Sequence, residues 1–174
     1  MPVIIGMNYF YIVKNMAKQS AGILLFRLIS NSLEVLLVHP GGPFFKNKDL
    51  GSWSIPKGEF LDDEDALLAA RREFKEETGF DITGDFLKLK PVKLKSGKNI
   101  HTWAVKGDID AGAIVSNTFE IQWPPSSGRI QAFPEIDRAA WFTVDGARDK
   151  INPAQFPLIE ELQVMLSKHT TRKL

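Results

Sequence analysis

Apolar positions along this chain follow two different periods. SAGILLFRLIS and SLEVLLVHP are rich in aliphatic residues and meet at SNS. This pattern predicts two strands joined as a hairpin. HPGGPFFKNKDLGSW is dense in turn formers and predicts a loop. SIPKGEF reads as a short extended piece, because Pro56 biases Ile55 away from helix. The period then lengthens in DDEDALLAARREFKEETG, where Ala66, Ala70 and Phe74 recur at steps of four. That stripe predicts a helix capped by Asp62 or Asp63, with acids in its first turn and Gly79 as its stop. DFLKLKPVKLKSGKNIHTWAVKGDI returns to alternation around an SGKN turn, a second hairpin. NTFEIQWPPSSGRIQAFPE predicts strand, loop and strand, and RAAWFTV one strand more. QFPLIEELQVML closes the pattern as a helix with Leu158, Ile159, Leu162 and Met165 on one side, before the basic tail SKHTTRKL. Strands dominate, one helix lies in the middle and one at the end, so the class is mixed α/β with a largely antiparallel component.

Composition changes this picture little. The 174 residues suit one domain, placed at 16–174. Residues 1–15 are an extension of unknown role. Their MPVIIGMNYFYIVKN is too short to span a bilayer and lacks the marks of a secretory signal. It is open to three readings: an added strand, an arm on a partner chain, or translated upstream sequence. Met16 opens MAKQSAGILLF like a natural start, which favours the third. The absence of cysteine removes disulfides, thiolate catalysis and cysteine-ligated zinc, and fits a cytoplasmic location. With 22 basic and 21 acidic residues, bulk charge points to no nucleic-acid or membrane partner.

Local charge is another matter. RREFKEETGF places Glu73, Glu76 and Glu77 within five positions. On a helix, Glu76 falls about 60° to one side of Glu73 and Glu77 about 40° to the other. Three carboxylates in one sector repel one another. A hard divalent cation, magnesium or manganese, reverses that sign. Arg72 can pair with Glu64 or orient a glutamate, Lys57 of PKGEF can meet phosphate, and Gly58 lets backbone approach a metal or ligand. Such a set suits cleavage of a phosphoanhydride. The alternative is an ordinary solvated, glutamate-rich helix face.

The spacing of Gly58, Glu64 and Arg72-Glu73-Phe74-Lys75-Glu76-Glu77-Thr78-Gly79-Phe80 resembles the signature of the Nudix hydrolase family at every fixed position, with Phe74 and Phe80 in the apolar places. The resemblance extends over about residues 18 to 168. It implies an α/β/α sandwich with a mixed sheet and a loop–helix–loop motif. It also implies metal-dependent hydrolysis of a nucleoside diphosphate linked to another moiety. Glu73, Glu76 and Glu77 then correspond to metal-binding carboxylates, with the Gly58 carbonyl a further ligand and Arg72 and Glu64 auxiliary. An extra acid outside the motif is expected, and Glu120 and Glu135 are the candidates. WSIPKGEF resembles the approach found in diadenosine tetraphosphate hydrolases and diphosphoinositol phosphatases, which leans the substrate toward dinucleoside polyphosphates or nucleoside triphosphates, with Lys57 on phosphate. Phe44 and Phe45 are candidates to stack on a base, as are Trp103 and Trp123, although core packing is the stronger reading for the tryptophans, Trp141 included. Lys46, Lys48, Lys93, Lys95 and Lys98 are candidates for phosphate contact or for solvated faces. His39 and His101 are candidate phosphate or metal partners, although a structural role is the stronger reading and no motif places the two together. The alternative function is a nucleotide-sensing module with little turnover, and isomerase chemistry on the same fold is disfavoured by the missing cysteine.

Overall fold

The computed structural model describes residues 19–171, with side chains described through Lys168. The reading of residues 1–15 lies outside them.

β1 (Gln19–Ile29) and β2 (Ser32–Pro40) form the expected hairpin, with Ile29 opposite Ser32. The connecting Ser30 and Asn31 both take positive φ, 49° and 65°, as a tight two-residue hairpin turn requires. β1 also pairs in parallel with β6 (Asn99–Lys106) on its other edge. Both of its faces are also buried, which is why it reads as an almost unbroken apolar run. β9 (Ile136–Thr143) extends the sheet beyond β2. β4 (Leu87–Lys88) and β5 (Val92–Lys93) border β6. The second hairpin therefore has a split arm, because Pro91 has no N–H for the ladder. The result is a seven-stranded mixed sheet in the order β4-β6-β1-β2-β9, and all its pairings but β1–β6 are antiparallel.

Alternate residues of β1 and β2 feed two cores. Leu24, Phe26, Val35 and Leu37 face α2 (Val144–Lys150) and α3 (Phe156–Thr171), which add Ala147, Leu158, Ile159 and Leu162. Ala21, Ile23, Leu25 and Leu36 face α1 (Ala66–Thr78), which adds Ala69, Ala70 and Phe74. This is the three-layer α/β/α sandwich that the motif implies.

Two local expectations are corrected. The cap of α1 is Asp65, whose side chain accepts from the Leu68 N–H at 2.9 Å, and the first turn holds no acid. Asp62 and Asp63 lie instead in a turn closed by Glu64 N–H to the Leu61 carbonyl. The sequence pattern also gave no sign of α2: Gly146 lowers its helix propensity, yet Thr143 caps it and Ala147 anchors it.

β3 (Lys57–Glu59) matters most for the site. It pairs with the first part of β1, Gly58 opposite Ala21, on the edge that β2 occupies further along. β7 (Thr118–Gln122) and β8 (Ile130–Pro134) form a separate two-stranded ribbon. Trp103 is buried as expected, Trp53 is buried as well, and Trp141 packs against the core beside α1. Trp123 departs from the expectation: it sits on the ribbon, edge to face with Phe44 at 5.5 Å. Among the described residues, no helix is long and apolar enough to cross a membrane.

Candidate active site

The acidic face of α1 meets β3 at very short range. A Cβ built on Gly58 would lie 1.9 Å from Glu73 Oε2, so the carboxylate occupies the space a side chain would need. One residue earlier, the Lys57 N–H donates to Glu77 Oε2 at 3.0 Å. Two successive β3 residues therefore engage two glutamates of the helix. Gly79 ends α1 in the left-handed region, φ 82°, and its N–H closes on the Lys75 carbonyl.

Arg72 supplies the counter-charge on this face. Its Nε and NH2 grip Glu64 at 3.0 and 3.2 Å, while NH1 reaches Glu73 at 2.6 Å and Glu76 at 3.4 Å. Glu64 thus acts on the ridge through Arg72. With Glu73 and Glu76 drawn to the arginine and Glu77 turned to the Lys57 amide, no three acid or imidazole side chains among the described residues are grouped as a metal cluster.

Burial pushes the Glu77 carboxyl up to about 8. The Lys57 ammonium and amide oppose that rise, and the charges of Glu73 and Glu135 add to it. Glu73 is also raised, first by burial, with Arg72 opposing and Glu76 and Glu135 adding.

Glu135 is thus electrostatically coupled to the ridge, and backbone hydrogen bonds explain its position. The Asn117 N–H donates to the Glu76 carbonyl, the Glu135 N–H to the Asn117 carbonyl, and the Gly41 N–H to the Glu135 carbonyl. Glu120 is exposed on β7 opposite Ala132, and no contact brings it to the ridge.

A cavity of about 380 Å³ is lined in part by Lys57, the residue whose N–H holds Glu77. Phe45, Lys48, Trp53, Leu94, Asn152 and Gln155 are among its other lining residues. The Lys48 ammonium lies over the Phe45 ring, 5.0 Å from its centre. Phe44, 60% exposed, leans on Trp123 and does not line this cavity. Lys46, Lys93 and Lys95 are exposed, whereas Lys98 pairs with Glu59 at 2.5 Å. His101 bonds Gln19, and burial holds its pKa below the usual range, with the Lys88 charge adding. His39 and His101 have separate partners, as expected.

Sequence reading missed Asn152 and Gln155. Gln155 is buried and its Oε1 accepts from the Ile55 N–H at 3.1 Å, fixing the strand that leads to Lys57. The one signal was an amide just ahead of the apolar residues that open the last helix.

Comparison with known proteins agrees with this architecture. The NUDIX domain profile matches residues 18–162. A Caenorhabditis elegans Ap4A hydrolase, solved as a binary complex, superposes with a TM-score of 0.58 at 20% identity, covering 86% of this chain and 98% of that one. The NUDIX domain of Shewanella oneidensis NrtR, complexed with ADP ribose, gives 0.61 at 18% identity, with 92% and 99% covered. A mutT/nudix family protein from Listeria innocua gives 0.58 at 14% identity, with 88% and 96% covered. No curated protein sequence matches the chain. With the profile spanning most of its length and the sandwich in place, the chain belongs to the Nudix family of hydrolases, which act on phosphoanhydride bonds.

Proposed function

We propose that the protein is a magnesium- or manganese-dependent pyrophosphohydrolase, acting on a nucleoside diphosphate linked to a further moiety and leaning to dinucleoside polyphosphates or nucleoside triphosphates. The carrying observation is the double role of Lys57: its amide holds Glu77, and its side chain lines the cavity shared with Lys48. In this reading the polyphosphate lies along the cavity that Lys48 and Lys57 line, and Lys57 links that cavity to Glu77.

The residues fit a hard cation. Glu73 and Glu77 both have raised pKa values because burial is undercompensated by positive charge. Gly58 offers bare backbone against Glu73. Glu73, Glu76, Glu77 and the Gly58 carbonyl would hold the ion, which when bound neutralises phosphate charge and activates water. Arg72 and Glu64 orient the ridge. Glu135 is the extra acid we back over Glu120, because its charge is felt at both Glu73 and Glu77. Phe45 is better placed than Phe44 to stack on a base within the cavity. The similarity to an Ap4A hydrolase fold supports the lean to long polyphosphates.

The test is a panel of dinucleoside polyphosphates, nucleoside triphosphates, nucleotide sugars and diphosphoinositol phosphates, with and without magnesium. Metal-dependent release of product from one class is expected. Absence of turnover across the panel would overturn the proposal, and tight nucleotide binding without product would move the chain to the sensing alternative.

A further inference from the structure

We propose that His39 is a positioning residue for the substrate cavity: by holding the Lys48 carbonyl, it fixes the turn that carries Phe45 and Lys48 to the cavity that Lys57 also lines. The inference rests on reading that cavity as the substrate site.

His39 lies near the end of β2 and is fully buried. A buried imidazole needs partners for both nitrogens, and here both have them at 2.7 Å. Nε2 faces the Lys48 carbonyl, which can only accept, so Nε2 is the donor. Nδ1 faces Asp137 of β9. The ring also meets the edge of Trp53, 5.3 Å between centroids. Its orientation is therefore set from three sides.

The sheet itself prepares this contact. The β2–β9 ladder pairs His39 with Arg138 and then Pro40 with Ile136, so Asp137 is left over at an irregularity. Such a bulge re-aims a side chain locally, and Asp137 meets His39 from it.

The loop that His39 holds is anchored at its ends by other groups. The Gly41 N–H reaches the Glu135 carbonyl, the Gly51 N–H reaches Asp149 and the Trp53 N–H reaches Lys150. Lys150 also pairs with Asp49. Between those anchors, the Lys48 N–H closes a turn on the Phe45 carbonyl. Among the described residues, the His39 hydrogen bond is the one that joins this turn to the sheet. A leucine would fill an apolar strand position without desolvating an imidazole. What the histidine adds is the position of a turn that carries an ammonium and an aromatic ring into the cavity. None of the contacts of His39 touches Glu73, Glu76 or Glu77, so its loss is felt in substrate binding rather than in the chemical step.

The experiment uses the full chain, diadenosine tetraphosphate and magnesium, with His39→Leu and His39→Gln. Amide hydrogen exchange at residues 44–48 is followed in the metal-free protein as well. His39→Leu is expected to raise KM about five- to tenfold, the cost of one net hydrogen bond, with kcat within about twofold and faster exchange at 44–48. His39→Gln, whose amide N–H can also donate to the Lys48 carbonyl, is expected to restore KM and exchange toward wild type. KM and exchange both unchanged in His39→Leu, or kcat falling in step with kcat/KM, would overturn the proposal. If the wild type turns over none of the panel, the substrate reading fails by itself. Unchanged exchange at 44–48 would still overturn the latch, and accelerated exchange rescued by glutamine would still support it.

Discussion

The two faces of the sheet are built for different purposes. On one, α3 brings Leu158, Ile159 and Leu162 to full burial, and its contacts are those of ordinary core packing. On the other, α1 buries a narrow stripe of Ala69, Ala70, Phe74 and Thr78, and gives the adjoining sector to Arg72 and three glutamates. Both helices are amphipathic, but α1 turns Glu73 and Glu77 of its charged side toward β3. The first face contributes stability. The second gives up stability, because Glu73 and Glu77 are desolvated by burial with only part of that cost offset by Arg72 and Lys57.

The sharpest way to break this contrast is Glu77→Gln. Turnover should fall by about 10²–10⁴-fold, measured as kcat with magnesium, while the metal-free protein should melt at a higher temperature than wild type. The sign follows from the raised pKa. Between the ordinary value of 4.5 and about 8, the folded chain holds a proton that the unfolded chain has released. Wild-type stability from this group is therefore full below about 4.5, and is lost as pH rises through about 8. The melting advantage of Glu77→Gln should be small near pH 5 and widen toward pH 9. Magnesium should raise the wild-type midpoint more than that of the variant.

Leu162→Ala should do the reverse. Loss of a fully buried leucine should cost about 2–5 kcal/mol in denaturant unfolding, with kcat per folded molecule unchanged. Gly58→Ala sharpens the role of the second face. The new Cβ would displace the Glu73 carboxylate, which is the free end of a flexible side chain. Activity should fall about a hundredfold, as for an ångström-scale misplacement, with a melting shift much smaller than that of Leu162→Ala. The smallest effect concerns the start of α1. Asp65→Ala should cost about 1 kcal/mol as a lost cap, whereas Asp62→Ala and Asp63→Ala should each stay within about 0.5 kcal/mol.

The misplaced cap shows where sequence reading stops. Asp62, Asp63 and Asp65 are equivalent as cap signals, and the cap is Asp65, with the 61–64 turn carrying Glu64 to Arg72. The unforeseen α2 has a similar cause: a seven-residue helix containing Gly146 has little local signal, and a single buried alanine against the sheet suffices to dock it. The strands and longer helices were legible because a two- or four-residue apolar period survives any particular packing.

The same division holds at the site. That Glu73, Glu76 and Glu77 share one sector was readable from spacing, since helix geometry alone puts them there, and the fold brings Gly58, Glu64 and Arg72 beside them. That Glu135 rather than Glu120 is felt at the ridge depended on hydrogen bonds linking Glu76, Asn117, Glu135 and Gly41 across distant parts of the chain. The cavity drew Phe45 and Lys48, Lys57 and Leu94, and Asn152 and Gln155 from four separate segments. Local periodicity and motif spacing are properties of neighbours in sequence, so the amino-acid sequence alone determined the sandwich, the helix and its acidic face. Which charge meets which partner, and what lines the cavity beside Lys57, was decided only when the sheet brought remote segments together.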